Sequence, residues 1–154
     1  MINVSDIIDP SCVRLELGAG EKEGAIRELV RLLAGTGKLD GYKLERYVEE
    51  LMERERVSST GIGQGIAISH RLVAGARAIM MAVGRSVKGV PFDSVDGKPV
   101  HLLFLIMGPQ GRHNEYLKIL GKLSWHLNDR NFFESLMRAQ GPSEVVALFK
   151  DRET

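Results

Sequence analysis

Four histidines and one cysteine are the obvious nucleophiles of this chain, and one of the histidines closes a glycine-rich run. The run is Ser59 to His70, STGIGQGIAISH, with glycines at 61, 63 and 65 followed by a short apolar stretch. An imidazole is nucleophilic and mostly neutral near pH 7, with an ordinary pKa of about 6.5. At the end of a strand beside a flexible loop, His70 is a candidate phosphoryl acceptor; the plain alternative is a structural histidine. His113 lies in Gly111-Arg112-His113-Asn114-Glu115, at the mouth of a leucine-rich helical segment. A helix N-terminus favours anions, so His113 is a candidate for orienting a phosphoryl group as a donor, or else a loop residue near a cap. His101 falls inside an apolar strand and reads as a satisfied core or edge histidine. His126 reads as a surface residue bordering the leucine stripe. Cys12 has no histidine or second cysteine nearby and reads as a small buried residue. No histidine pair has zinc spacing, no HExxH occurs, and no GxSxG elbow is present; a dispersed Ser-His-Asp triad stays open.

Glycine-rich loops often cradle phosphate, but context argues against a nucleotide. A dinucleotide fingerprint runs strand, glycines, helix, so that the helix N-terminus meets the pyrophosphate. Here a helix precedes the glycines and a strand follows. A Walker loop needs lysine after its last glycine, and Gln64-Gly65-Ile66 supplies none. Two readings remain. One is a tight turn that needs positive φ at Gly61, Gly63 or Gly65. The other is a loop whose backbone N–H groups approach an anion. The turn reading leads.

The elements that must hold these residues follow from periodicity. Val13 to Leu17 alternates as a strand. Ile26, Leu29, Val30 and Leu33 mark one face of a helix, ended by Gly35-Thr36-Gly37. Asp40 is placed to cap the next helix, where Leu44, Tyr47, Val48 and Leu51 repeat the spacing and Glu53-Arg54-Glu55-Arg56 closes it. Ile66 to Ser69, Ala78 to Val83 and Val100 to Met107 read as strands. The last is apolar on both faces apart from His101, so it is central. Asp96-Gly97 is a hairpin-type turn and Gly108-Pro109-Gln110-Gly111 another turn. Leu117, Leu120, Leu123 and Leu127 mark an amphipathic helix. Asn131 with Glu134 resembles a capping pair opening another. Gly141-Pro142-Ser143 precedes a last helix with Val145, Leu148 and Phe149 on one face. The order predicts an α/β fold: a single-domain sandwich over residues 1–154, with a central mixed β-sheet flanked by helices.

Bulk composition narrows the function. The 154 residues suffice for one domain with a full core. Lys plus Arg total 21 and Asp plus Glu 20, a net charge of +1. That leaves no footprint for nucleic acid or an anionic membrane. One cysteine cannot form an internal disulfide and suits a reducing compartment. The N-terminal MINVSDIIDP does not read as a signal peptide, and no apolar run is long enough to span a bilayer. The expected location is cytoplasmic.

Taken together, Glu53-Arg54-Glu55, the Ser59–His70 run and Tyr116-Leu117-Lys118-Ile119-Leu120-Gly121-Lys122-Leu123-Ser124 resemble a known family. It is the enzyme IIA (EIIA) domain of the bacterial phosphoenolpyruvate-dependent sugar phosphotransferase system, of the fructose/mannitol/nitrogen-regulatory type. The resemblance covers nearly the whole chain. It implies that His70 carries a phosphoryl group on Nε2, accepted from the phosphohistidine of the carrier HPr and passed to an EIIB domain. It also implies that Arg54 lies near the phosphohistidine and stabilises the phosphoryl charge. No cofactor or metal is implied, because the donor N–P bond is already activated. Two residues depart from the family's pattern. Ser69 stands where proline usually precedes the histidine, and its hydroxyl is a candidate partner for the phosphoryl group or a ring nitrogen. Tyr116 stands where many relatives have a second histidine, with His113 one helical turn earlier as a candidate helper. Two functions of the same chemistry follow: transport of a fructose- or mannitol-like sugar, or regulation of target proteins by phosphorylation state. In both, membrane association is peripheral, through EIIB and EIIC only. A hydrolase or metal enzyme using the same pocket is the reading from another class, and no ligand spacing favours it.

Overall fold

The computed structural model describes residues 2–154. In chain order the elements are β1 (Ile8–Arg14), α1 (Lys22–Ala34), α2 (Leu44–Val57), β2 (Gly61–Gly63), β3 (Ile66–Leu72), β4 (Met80–Val90), β5 (Val100–Gly108), α3 (His113–Leu127), α4 (Arg130–Arg138) and α5 (Pro142–Arg152). The strands form one mixed sheet in the order β1-β4-β5-β3-β2. β1 runs parallel to β4 and β3 parallel to β5, while the remaining neighbours are antiparallel. This is the expected α/β sandwich, with Val100–Gly108 at its centre.

Period-two alternation splits the apolar residues between two cores. Ile66, Ile68, Met81, Val83, Leu102, Phe104 and Ile106 pack on one face with residues of α3, α4 and α5. Ala67, Met80, Ala82, Leu103, Leu105 and Met107 pack on the other with α1 and α2. A strand covered on both sides must be apolar at every position, which is why Val100 to Met107 reads as one continuous run.

Four local expectations change. The first strand is Ile8–Arg14, not Val13–Leu17. It is an edge strand whose register with β4 shifts between Ile8 and Val13, so the exposed Asp9, Pro10 and Ser11 interrupt the alternation that sequence reading depends on. Asp40 caps a 3₁₀ turn, Gly41–Lys43, through the Tyr42 N–H, and α2 begins only after it. The cap of α4 is Asp129, whose carboxylate accepts the Asn131 N–H at 2.9 Å; Glu134 pairs with Arg130 instead. Along α3 the buried face is Tyr116, Ile119, Leu123, His126 and Leu127, and Leu117 is exposed.

Candidate functional site

β3 delivers His70 to the sheet's surface on the α3 side. Ile68, two residues earlier, points into the α3–α5 core, so His70 shares that direction and emerges half-buried. Its Nδ1 lies 3.0 Å from the Ile68 carbonyl oxygen. A carbonyl only accepts, so in the neutral ring Nδ1 carries the proton. Nε2 then holds the lone pair. Tyr116, in the first turn of α3, packs beside the ring at 5.9 Å between centroids, tilted 55°. The N-terminus of α3, with its unpaired N–H groups and positive dipole end, is thereby brought next to the histidine.

Two guanidinium groups share the neighbourhood. Burial pushes the Tyr116 phenol well above its ordinary value, and the charges of Arg71 and Arg54 act against that rise. Both cations are thus within electrostatic reach of the ring that packs on His70. Their states differ. Arg71 donates to Glu50 at 2.7 Å, and Glu50 also accepts from Arg46. Burial alone would raise the Glu50 carboxyl, but these two hydrogen bonds outweigh it and hold it below its usual value. Arg54 donates to the Ser58 carbonyl at 2.8 Å, and among the described residues no carboxylate pairs with it. Its charge is anchored at one end of the fork and otherwise available to an anion. Sequence reasoning missed Arg71 and Glu50; only the packing of α2 against β3 brings them together.

His113 is the first residue of α3 and is exposed, one turn before Tyr116. Ser69 does not reach the ring or the space in front of it. Alternation turns it to the opposite face, where it is buried with its hydroxyl 3.0 Å from that of Thr60. The glycines are also not around the histidine. Gly63 and Gly65, at φ +95° and +83°, with Gln64 at +56°, form the tight turn joining β2 to β3. That turn starts β3 and His70 is near its end, about 16 Å along an extended strand. The run is contiguous in sequence because one strand links the turn to the site.

The other histidines separate by their hydrogen bonds. His126, expected at the surface, is 3% exposed. Its ring packs on Phe132 and Phe149, which the helical stripe alone does not reveal. The Arg152 Nε donates to its Nδ1 at 2.9 Å, so Nε2 carries the proton and faces Glu153 at 3.3 Å. Both nitrogens are occupied. His101 donates through Nδ1 to the Ser86 carbonyl at 2.8 Å, a satisfied strand histidine at the far end of the sheet from His70. Cys12 is buried, and burial raises its thiol pKa.

Residues 6–152 match the family described as "Phosphoenolpyruvate-dependent sugar phosphotransferase system, EIIA 2". The chain is 34% identical over 143 residues to the fructose-specific EIIA component of Haloferax volcanii, covering 93% of this chain and 92% of that protein. It is 33% identical over 152 residues to the fructose-specific EIIABC component of Bacillus subtilis, covering 99% of this chain but only 24% of that longer protein. Among solved structures, the nitrogen regulatory protein IIA-Ntr from Neisseria meningitidis superposes with a TM-score of 0.85 at 34% identity, over 95% of this chain and 98% of that one. Among the described residues no helix is long and apolar enough to cross a membrane. The mixed sheet, the histidine beside the first turn of α3 and a match over nearly all residues lead to one assignment: the chain belongs to the type 2 EIIA family of the sugar phosphotransferase system and is a phosphotransferase component.

Proposed function

We propose that this protein is a cytoplasmic phosphocarrier whose acceptor is His70 Nε2, taking a phosphoryl group from phosphorylated HPr and passing it to an EIIB component of a fructose- or mannitol-type system. The observation that carries the reading is the Nδ1–Ile68 carbonyl bond, which leaves Nε2 as the nucleophilic nitrogen on a half-exposed ring. In the transfer, the donor's N–P bond breaks as the Nε2–P bond forms. A donor ring that is protonated on its other nitrogen leaves as a neutral imidazole. The His70 ring keeps its Nδ1 proton and becomes cationic, which strengthens the bond to Ile68. No proton need move. Arg54 meets the charge on the equatorial oxygens, and the start of α3 adds its dipole. His113 remains a candidate helper at that helix start.

Incubation with ³²P-phospho-HPr tests this. Acid-labile, base-stable label is expected on the wild type and on His101→Ala, and none on His70→Ala. Label persisting on His70→Ala would refute the site.

A second reading has the same chemistry with a regulatory output, and the similarity to IIA-Ntr favours it. Affinity capture with both phosphorylation states separates the two. Recovery of an EIIB alone supports transport, whereas a non-transport target that prefers one state supports regulation.

A further inference from the structure

The carboxylate of Glu55 is 2% exposed and takes no part in the chemistry proposed above. It sits in the last turn of α2, where the helix dipole disfavours a negative charge. Lys22, itself only 13% exposed, compensates from 3.1 Å. A buried ion pair of this kind contributes little to stability for its own sake, because desolvation opposes the Coulomb attraction. What the carboxylate grips is a backbone amide. The Thr60 N–H lies 3.1 Å from both Glu55 oxygens, and the Ser59 hydroxyl is 3.4 Å from one of them.

Thr60 is bonded on its other sides to the two residues that precede His70. Its carbonyl accepts the Ile68 N–H at 3.1 Å, and its hydroxyl is 3.0 Å from the Ser69 hydroxyl. The Ile68 carbonyl then accepts the His70 Nδ1 proton. An ion pair from Lys22 to Glu55 thus continues as hydrogen bonds through Thr60 and Ile68 to His70, with Ser69 as a side branch. Every link except the last is buried or nearly so, where such bonds are strongest and a missing partner is most costly.

From this line we infer that Glu55, acting through Thr60, is a positioning residue for phosphoryl transfer: it fixes the Ile68 carbonyl and so determines which nitrogen of His70 carries the proton and where the other one points. The inference rests on the reading of His70 as acceptor. If the anchor loosens, the peptide before the histidine can rotate. Nδ1 then loses a fixed acceptor, and the ring samples both tautomers and other orientations. The reactive lone pair is diluted and misdirected, a loss of preorganisation that leaves the fold in place.

The test uses Glu55→Gln, which keeps size and one acceptor but removes the charge, and Thr60→Val, which removes only the hydroxyl branch. Thr60→Ser is the conservative rescue. Each is assayed for phosphorylation by phosphoramidate, a small donor that needs no docking surface, and for the ¹⁵N shifts of the His70 ring. Supporting results are a folded Glu55→Gln with acceptance slowed about tenfold or more, a changed pH profile and ring shifts moved toward a mixture of tautomers. A smaller change of the same kind in Thr60→Val, reversed in Thr60→Ser, also supports the inference. A lowered melting temperature with unchanged ring shifts and pH profile makes Glu55 merely structural and overturns it. Should Glu55→Gln not fold, Glu55→Asp decides: it keeps the charge opposite Lys22 but draws the carboxylate back from the Thr60 amide, and an unaltered His70 spectrum there overturns the proposal. The ¹⁵N shifts report on the ring whether or not it is the acceptor. Failure of the His70 reading, seen as label on His70→Ala, therefore stays distinguishable from failure of this one.

Discussion

At His70 the backbone chooses between two ring nitrogens, and a second histidine of the same chain shows the opposite choice. Ile68 accepts from Nδ1 of His70, whereas Arg152 donates to Nδ1 of His126 and Glu153 faces its Nε2. One ring keeps a free lone pair at the surface; the other is saturated in the core. Arg54 is the proposed electrostatic partner of the free nitrogen, its charge felt at the Tyr116 ring that packs on His70. Replacing it with alanine is expected to slow phosphoryl acceptance by about 100-fold, the scale for losing one preorganised donor at a developing charge. Lysine, which keeps the charge without the fork, should recover about tenfold of that. His113→Ala should cost less than Arg54→Ala, because its ring is exposed at the helix start. Stopped-flow or rapid-quench labelling measures all three. The quoted motifs pick out His70 and Arg54 as candidates, and the fold brings both into the surroundings of Tyr116. The burial of His126 was not legible in the sequence, because it depends on Phe132 and Phe149 arriving from two later helices.

At the scale of elements, β3 is a spacer with different tasks at its two ends. Its beginning is the glycine turn, and its end presents His70. Gly65 adopts φ +83°, and a Cβ there would come within 3.3 Å of both His101 and Phe133. Gly65→Ala should therefore cost roughly 1–2 kcal/mol of stability through left-handed backbone strain and crowding. Its rate of phosphorylation should stay within about twofold of wild type, since about 16 Å of strand separates the turn from His70, the proposed acceptor. Thermal unfolding and labelling of the same sample check both halves. A large loss of labelling in a folded variant would place the glycines in the site and contradict the turn reading. The helices and central strands were legible because each buries a periodic face. β1 was not, because Asp9-Pro10-Ser11 bulges at an exposed edge, where side-chain pattern has little to report. Adjacency in sequence makes Ser69 a candidate for the site, while the glycines read as a turn. Strand alternation and strand length separate both from the site.

At the scale of the molecule, the chain's two ends are fastened beside α3. Glu153 accepts the Val4 and Ser5 N–H groups at 2.8 and 2.9 Å and faces His126, while Arg152 bridges His126 and Asp129. Burial alone would raise the Glu153 carboxyl, but the Ser5 and Val4 amides and His126 outweigh it and hold it below its ordinary value of 4.5. A depressed carboxyl stabilises the fold fully above the unfolded-state value and loses that contribution as pH falls through the folded one. Glu153→Gln is accordingly expected to destabilise the protein by about 2 kcal/mol at pH 7, roughly 6 °C in melting temperature. The difference from wild type should shrink as the pH is lowered below about 4. Urea melts across that range are the check, and a gap that grows toward acid contradicts the assignment. This fastening was not readable from sequence: it joins residues about 150 positions apart and leaves no periodic signal.

The central claim concerns one atom, and the position of the phosphorus tests it most directly. Protein labelled with ¹⁵N in its histidine rings and phosphorylated by phospho-HPr should show phosphorus coupled to Nε2 of His70, with the Nδ1 proton retained. Phosphorus on Nδ1 of His70, or on any other residue, would contradict the account.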